Sequence, residues 1–359
     1  MPRGELKASP EGLRWVERPG PWRRLAGCGS ALVSLAAWGY LLTTVAIVVC
    51  LHVLGDRWWL GTLLLFAPRW VWGLPLILLV PLVISCRPRL TWIVLIAALL
   101  FAGPLMGLCV PWPQMAAAQP KLRLRVLSCN TGGGSLDREA LGALIARLRP
   151  DVIALQEFRN GYDPDRAWQG DLHVVHEYNL CVASRFPVER IDRLKHTDPP
   201  GLGWIVQTRI DSPVGPLDLF NLHLPTPRGG LEALRHGDPG GIRELEESIR
   251  ERTDQARHAR QFVDRADGPL LVTGDFNMPV ESRIYRATWS DLTNAFSTAG
   301  WGYGRTKFTR WHGVRIDHIL AGSGWRCVRC WIGPQIGSDH RPVIADLEWY
   351  GPVAAAPDG

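Results

Sequence analysis

Formal charge is missing from three stretches near the amino terminus: 31 residues between Arg24 and Asp56, 17 from Trp70 to Cys86, and 31 from Leu90 to Pro120. Apolar runs of that length have no polar face, which excludes the amphipathic helices of a soluble domain. A cleaved signal peptide is not expected either, because its apolar region is about 7–15 residues and further spans do not follow it. Net charge is missing from the other end. From Pro120 to Gly359, 30 Lys+Arg stand against 30 Asp+Glu, so the chain's +6 lies wholly in the first third. Despite a pI of about 9.0, that balance removes the broad basic surface a polyanion binder uses. Internal repeats and low-complexity tracts are absent, and 47% hydrophobic with 21% charged residues excludes disorder. The eight cysteines form no disulfide framework. Cys327-Val-Arg-Cys330 has redox or zinc spacing, but no second pair accompanies it, and residues three apart in a strand face opposite sides.

What the first third does have is length. A helix needs about 20 apolar residues to cross a bilayer core. Leu25–Leu54 and Leu90–Val110 meet that requirement, and Val71–Cys86 does with its preceding residues. Trp58–Ala67 is too short and is cut by Pro68-Arg69, so it reads as an interfacial or re-entrant piece. The expectation is three spans, with four as the alternative. Arg3, Lys7, Arg14, Arg18, Arg23 and Arg24 precede the first span, and Arg87 and Arg89 separate the second from the third. Only Arg57 and Arg69 lie on the opposite side. Basic residues stay cytoplasmic, which places the amino terminus inside and everything after Pro111 outside a cell membrane. Trp58, Trp59, Trp70, Trp72, Trp92 and Trp112 fall near the span ends, as interfacial aromatics do.

After Pro111-Trp-Pro113 the pattern changes. Leu122–Val126 alternates as a strand, and Leu141, Leu144, Ile145 and Leu148 are spaced as one helix face that Pro150 ends. Strands are expected at 151–155, 173–177, 180–184, 204–210, 216–222, 270–273, 316–321, 326–332 and 342–349. A polar helix is expected over 242–263, with its arginines and glutamates forming a salt-bridged solvent face. The chain thus divides into a basic cytoplasmic amino terminus (1–24), a transmembrane region (25–112), a linker (113–120), an α/β domain (121–350) and a tail (351–359).

Five places break the apolar pattern where a strand meets a loop: Ser128-Cys-Asn130, Gln156-Glu157, Asn221-Leu-His223, Gly274-Asp-Phe-Asn277, and Arg315-Ile-Asp-His318 with Ser338-Asp-His-Arg-Pro342. Each alone is an ordinary turn or core feature. Together they describe a reaction centre. Asp275 and Asn277, two apart, share one side of an extended segment. Glu157, Asp339 and Asn130 offer hard oxygen ligands suited to Mg²⁺ or Mn²⁺. His340 beside Asp317 is the arrangement that fixes a tautomer and shifts an imidazole pKa, while His318 is expected to point into packing.

Gln156-Glu157, Gly274-Asp-Phe-Asn277, Ile316-Asp-His318 and Ser338-Asp-His-Arg-Pro342, in that order, resemble the endonuclease/exonuclease/phosphatase superfamily of DNase I-like proteins, over roughly Leu122 to Trp349. The resemblance implies a four-layered α/β sandwich and metal-dependent attack of water on phosphorus. It implies Glu157 as the main Mg²⁺ ligand, helped by Asn130, with Asp339 in the metal region. It further implies Asp275 and Asn277 positioning or deprotonating the water, His340 paired with Asp317 as base or charge stabiliser, and His223 on a phosphoryl oxygen. Which of Asp275 and His340 takes the proton stays open. The Gly/Pro-rich segment Pro225–Gly241 follows His223 and reads equally as a substrate-selecting rim or a plain surface loop. As a rim, Arg228, Arg235 and His236 would meet a second phosphate.

Substrate class follows from architecture. Membrane spans, a neutral domain and a short junction favour a phosphatase or phosphodiesterase acting on a phosphorylated lipid at the outer face. The architecture also resembles the VanJ-type proteins associated with teicoplanin resistance, for which prenyl-diphosphate lipids are the suggested substrates. A surface nuclease is the alternative, and a non-catalytic tethered module the third reading. No protein partner is inferable.

Overall fold

The computed structural model describes residues 4–9, 12–17, 21–111, 119–132, 136–158, 172–195 and 204–351. Trp112, linker residues 113–118 and tail residues 352–359 lie outside these. The chain forms two units: Met1–Val48 with Arg69–Met106, and Val49–Pro68 with Gly107–Gly359.

The first unit is helical apart from an antiparallel hairpin, Gly4–Ser9 with Gly12–Glu17. Three segments are long and apolar enough to cross a membrane: Gly29–Arg57, Arg69–Cys86 and Pro88–Leu105. Within the unit, Ala37, Leu41, Leu79, Val83, Ile93, Val94 and Ala97 pack together, and Trp38 meets Trp92 edge to face at 5.6 Å. Tyr40 donates to the Trp72 carbonyl at 2.8 Å. Most other large side chains face outward, among them Leu32, Leu35, Ile77, Leu78 and Leu99. Pro81 stands inside the helix Leu74–Cys86 and Pro104 inside a π turn, Phe101–Leu105. Interior prolines of this kind are tolerated in membrane helices, where neighbouring groups satisfy the freed carbonyls.

The second unit is built on two six-stranded sheets. One runs, edge to edge, Thr293–Asn294, Asp317–Ala321, Leu270–Asp275, Gly215–His223, Trp204–Ser212, Val188–Lys195. The other runs Trp325–Ile332, Val343–Trp349, Leu122–Asn130, Val152–Gln156, Leu180–Ser184, His173–Glu177. Their inner faces close a shared core that includes Leu124, Val126, Val182, Val206, Leu219, Leu271, Ile319 and Leu347. Helix Arg138–Leu148 covers one outer face through Leu141, Leu144 and Ile145. Helix Gly240–Val263 covers the other through Ala256, Ala259, Phe262 and Val263. Helix, sheet, sheet, helix is the four-layered sandwich that the resemblance implied.

Each sheet contains one parallel pair near its centre: Leu122–Asn130 with Val152–Gln156, and Gly215–His223 with Leu270–Asp275. Parallel neighbours need a crossover, and the two covering helices provide it. Those crossovers bring four strand ends to the same edge of the sandwich, where ligands bind in such folds.

Four sequence expectations change. Trp58–Ala67 is a helix, Trp59–Phe66, that belongs to the second unit, because Val49–Pro68 packs there. The segment Pro225–Gly241 holds a helix, Arg228–Arg235. Cys327 and Cys330 face the same core, because a bulge between Cys327 and Arg329 shifts the strand's phase; both stay free thiols. Finally, the solvent face of Gly240–Val263 holds for Arg243–Glu247 and Arg257–Asp254, whereas Arg252 is wholly buried.

Candidate active site

The four strand ends carry four of the expected residues. Asn130 ends its strand opposite Gln156, just before Glu157. Asp275 ends its strand opposite His223 on one side and Asp317 on the other. Gly274 precedes Asp275 for a steric reason. Its φ is +140°, and a Cβ there would lie 2.0 Å from the Leu222 carbonyl oxygen of the parallel neighbour. His340 arrives from a separate loop in which the Ser338 hydroxyl donates to the Asn130 carbonyl at 2.9 Å and accepts from the His340 amide at 3.0 Å.

These ends converge. Asn130 Nδ2 donates to Glu157 Oε1 and to Asp275 Oδ2, each at 3.0 Å. Its Oδ1 accepts from the Gly132 amide, so the amide turns donors toward the acids and holds them together. His223 Nε2 lies 3.8 Å from Glu157 Oε1 and 3.8 Å from Asp275 Oδ2. His340 Nδ1 donates to Asp317 at 2.8 Å, and its Nε2 faces Asp275 Oδ2 at 3.7 Å. Asp275, Asp317 and His340 are buried and offer ligand atoms within 4.8 Å of one another. Asp339 is half-exposed, 3.8 Å from His340 Nε2 and paired with Lys307.

The expectation that Asn277 shares a face with Asp275 does not hold. The strand ends at Asp275, and Asn277 turns through φ +50°. Its amide N–H donates to Asp275 Oδ1 at 2.9 Å, and its Nδ2 donates to the Leu224 carbonyl. Glu157 is also left-handed, at φ +53°. Such strained backbone persists where the surroundings over-determine it. Gln156 and Asn221 do not reach the cluster. They join across the two sheets, Gln156 Nε2 to Asn221 Oδ1 at 2.7 Å, and hold the strand ends in register. His318 faces packing as expected. Nε2–H donates to the Met278 carbonyl, and burial together with Arg315 lowers the imidazole to about 4.

Electrostatics divide the cluster. Burial alone would lower His340, but the charges of Asp317 and Asp275 and the Asp317 hydrogen bond outweigh it and raise the imidazole to about 9. Burial and the nearby Asp317 charge raise Asp275, against the opposing pull of His340 and His223. Burial raises Asp339 too, yet the hydrogen bond and charge of Lys307 prevail and leave it lowered. Carboxylates gathered in a buried place call for compensating positive charge.

Of the rim residues, Arg228 feels the cluster. Its guanidinium is raised mainly by Glu232, which it contacts at 2.6 Å, and further by Asp339 and Glu157. Arg235 and His236 are exposed at the other end of the helix, where His236 Nδ1 contacts the Glu232 carbonyl. No motif marks Lys307, a lone lysine in a glycine-rich stretch of sequence that forms the short strand Lys307–Phe308.

Residues 127–340, more than half of the 359-residue chain, match the Endonuclease/Exonuclease/phosphatase family. The chain belongs to that family. A comparison with curated proteins finds no match. Among solved structures it is similar to the endonuclease/exonuclease/phosphatase from Beutenbergia cavernae DSM 12333, with 18% identity, a TM-score of 0.47, and 65% of this chain and 73% of that one covered. It is similar to truncated Caenorhabditis elegans TDP2, with 19% identity, a TM-score of 0.48, and 64% and 99% covered. The endonuclease/exonuclease/phosphatase from Bacteroides vulgatus gives 17% identity, a TM-score of 0.47, and 64% and 100% covered.

Proposed function

We propose that this family member is a membrane-anchored, metal-dependent phosphoester hydrolase acting on a lipid-linked phosphate or diphosphate. The observation that carries the reading is the convergence of Asp275, Asp317 and His340, with Glu157, Asn130 and His223, at one edge of the sandwich. The donor set fits Mg²⁺ or Mn²⁺: hard carboxylate oxygens from Glu157 and Asp339 beside the buried Asp275. Glu157 would hold the ion, with Asn130 orienting it and Asp339 at its edge. A bound ion would supply Lewis acidity on the phosphoryl oxygens. In the chain's own part of the chemistry, Asp275, held by the Asn277 backbone N–H, orients the attacking water. His340, kept cationic by Asp317, neutralises charge gathering on phosphorus, and His223 contacts a phosphoryl oxygen.

Topology supports the outer-face placement. Val49–Pro68 and Gly107–Gly359 fold as one unit, so the chain between them crosses the membrane an even number of times. Two spans in that interval make three in all, which supports three spans over four. With the basic flanks inside, the catalytic unit is extracytoplasmic. The architecture suits a VanJ-type prenyl-diphosphate substrate. The test is Mg²⁺-dependent phosphate release from a prenyl diphosphate by detergent-purified protein, set beside nicking of supercoiled plasmid. Phosphate release without nicking supports the proposal; nicking without phosphate release makes the chain a membrane-bound nuclease.

A further inference from the structure

The segment Val49–Pro68, outside the family match, reaches into the catalytic unit. Asp56, 1% exposed, accepts from the Ser282 hydroxyl at 2.5 Å, the Arg283 amide at 2.8 Å and the Ile284 amide at 3.3 Å. Gly55, at φ +48°, permits that approach, since its Cβ position lies 3.1 Å from the Arg283 nitrogen. Asp56 Oδ2 also stands 3.7 Å from Nη2 of Arg252, and neither side chain touches solvent. The Arg252 guanidinium lies 5.8 Å over the ring of Phe66, from the same segment. Nη2 of Arg252 donates to the Asn277 carbonyl at 3.0 Å, while its Nε and Nη1 have no hydrogen-bond partner among the described residues. Around this pair, Trp59 donates to Glu246 at 2.9 Å, Arg286 to the His52 carbonyl, and His312 contacts the Phe66 carbonyl at 2.7 Å.

Asp275 and Ser282 bound the loop that carries Asn277. Asp56 holds its far end directly, through Ser282, and its middle indirectly, through Arg252 and the left-handed Asn277. A buried arginine needs a counter-charge, and Asp56 is the acid it meets. We propose that Asp56 and Arg252 are positioning residues that set the Asp275–Asn277 loop for the reaction. The stretch that closes the first apolar segment is therefore part of the active-site scaffold. The inference rests on the hydrolase reading for its consequence, though not for its geometry.

The test uses the full chain in detergent, with Asp56→Asn, Arg252→Met, the double variant and the milder Arg252→Lys, which keeps the charge and loses the guanidinium donor. Three quantities are read: Mg²⁺-dependent turnover of p-nitrophenyl phosphate, Tm, and hydrogen exchange over residues 270–282. In Asp56→Asn, kcat falls about tenfold to a hundredfold with KM within about twofold, Tm falls, and exchange over 270–282 quickens. In the double variant Tm recovers, because no unpaired buried charge remains, while kcat and exchange do not. Arg252→Lys lowers kcat with little change in Tm. Recovery of kcat in step with Tm, or unchanged exchange over 270–282 in every variant, overturns the proposal. If wild type shows no turnover, the hydrolase reading fails, and the exchange arm alone still decides this inference.

Discussion

The apolar helices keep hydrophobic side chains on the outside, and the α/β unit keeps charged ones on the inside. Leu32, Leu35, Ile77, Leu78 and Leu99 face outward from the first unit, whereas Asp275, Asp317, His340 and Arg252 are buried in the second. Either arrangement would be costly by itself: exposed apolar surface in water, or buried charge without compensation. In the proposed reading each has its own environment, a bilayer around the helices and an ion with a phosphoester at the strand ends. The arrangements meet in one short segment. Val49–Pro68 continues an apolar helix and carries Asp56, the counter-charge for a buried arginine.

Removing the inner charge should have the largest effect. His340→Gln should lower kcat about 10²- to 10⁴-fold, read as initial rates at saturating Mg²⁺. Placing charge on the outer apolar surface comes next. Leu78→Asp, in the helix Leu74–Cys86, should cost about 3 kcal/mol of insertion at mid-span, read as mixed topology with a reporter fused after Gly359.

A pH dependence follows from His340. Its imidazole is raised to about 9 in the folded chain, against roughly 6.5 unfolded. The stabilisation is therefore complete below about pH 6.5 and lost as pH rises through about 9. Metal-free wild type should lose Tm over that window, and Asp317→Asn should flatten the loss. The smallest effect belongs to Arg243→Ala, on the solvent face beside Glu247, which should change stability by less than about 0.5 kcal/mol.

Much of the catalytic unit was legible because its strands are apolar and its reactive residues interrupt them at their ends. The hairpin His173–Glu177 and Leu180–Ser184 follows directly from alternation around a turn. Val188–Lys195 was not legible: it is an edge strand carrying Glu189, Arg190, Asp192 and Arg193, charges that protect an edge and mask its period. The bulge at Cys327 broke a period-two argument that was otherwise sound. Asn277 was placed in the right loop but on the wrong geometry, because motif spacing does not report a left-handed turn. Asp56 was invisible for a different reason. It sits just past an apolar run, and its partner Ser282 lies 226 positions away, so no local pattern links them.

In the proposed reading, the buried acids and histidine form a metal-dependent hydrolytic centre. Its most direct test is an Mg²⁺ titration of p-nitrophenyl phosphate turnover by the full chain in detergent, wild type against Asp275→Ala. Such a centre gives saturable, chelator-sensitive turnover that falls about a thousandfold or more in the variant. Equal turnover in both proteins, or turnover that persists after chelation, would contradict it.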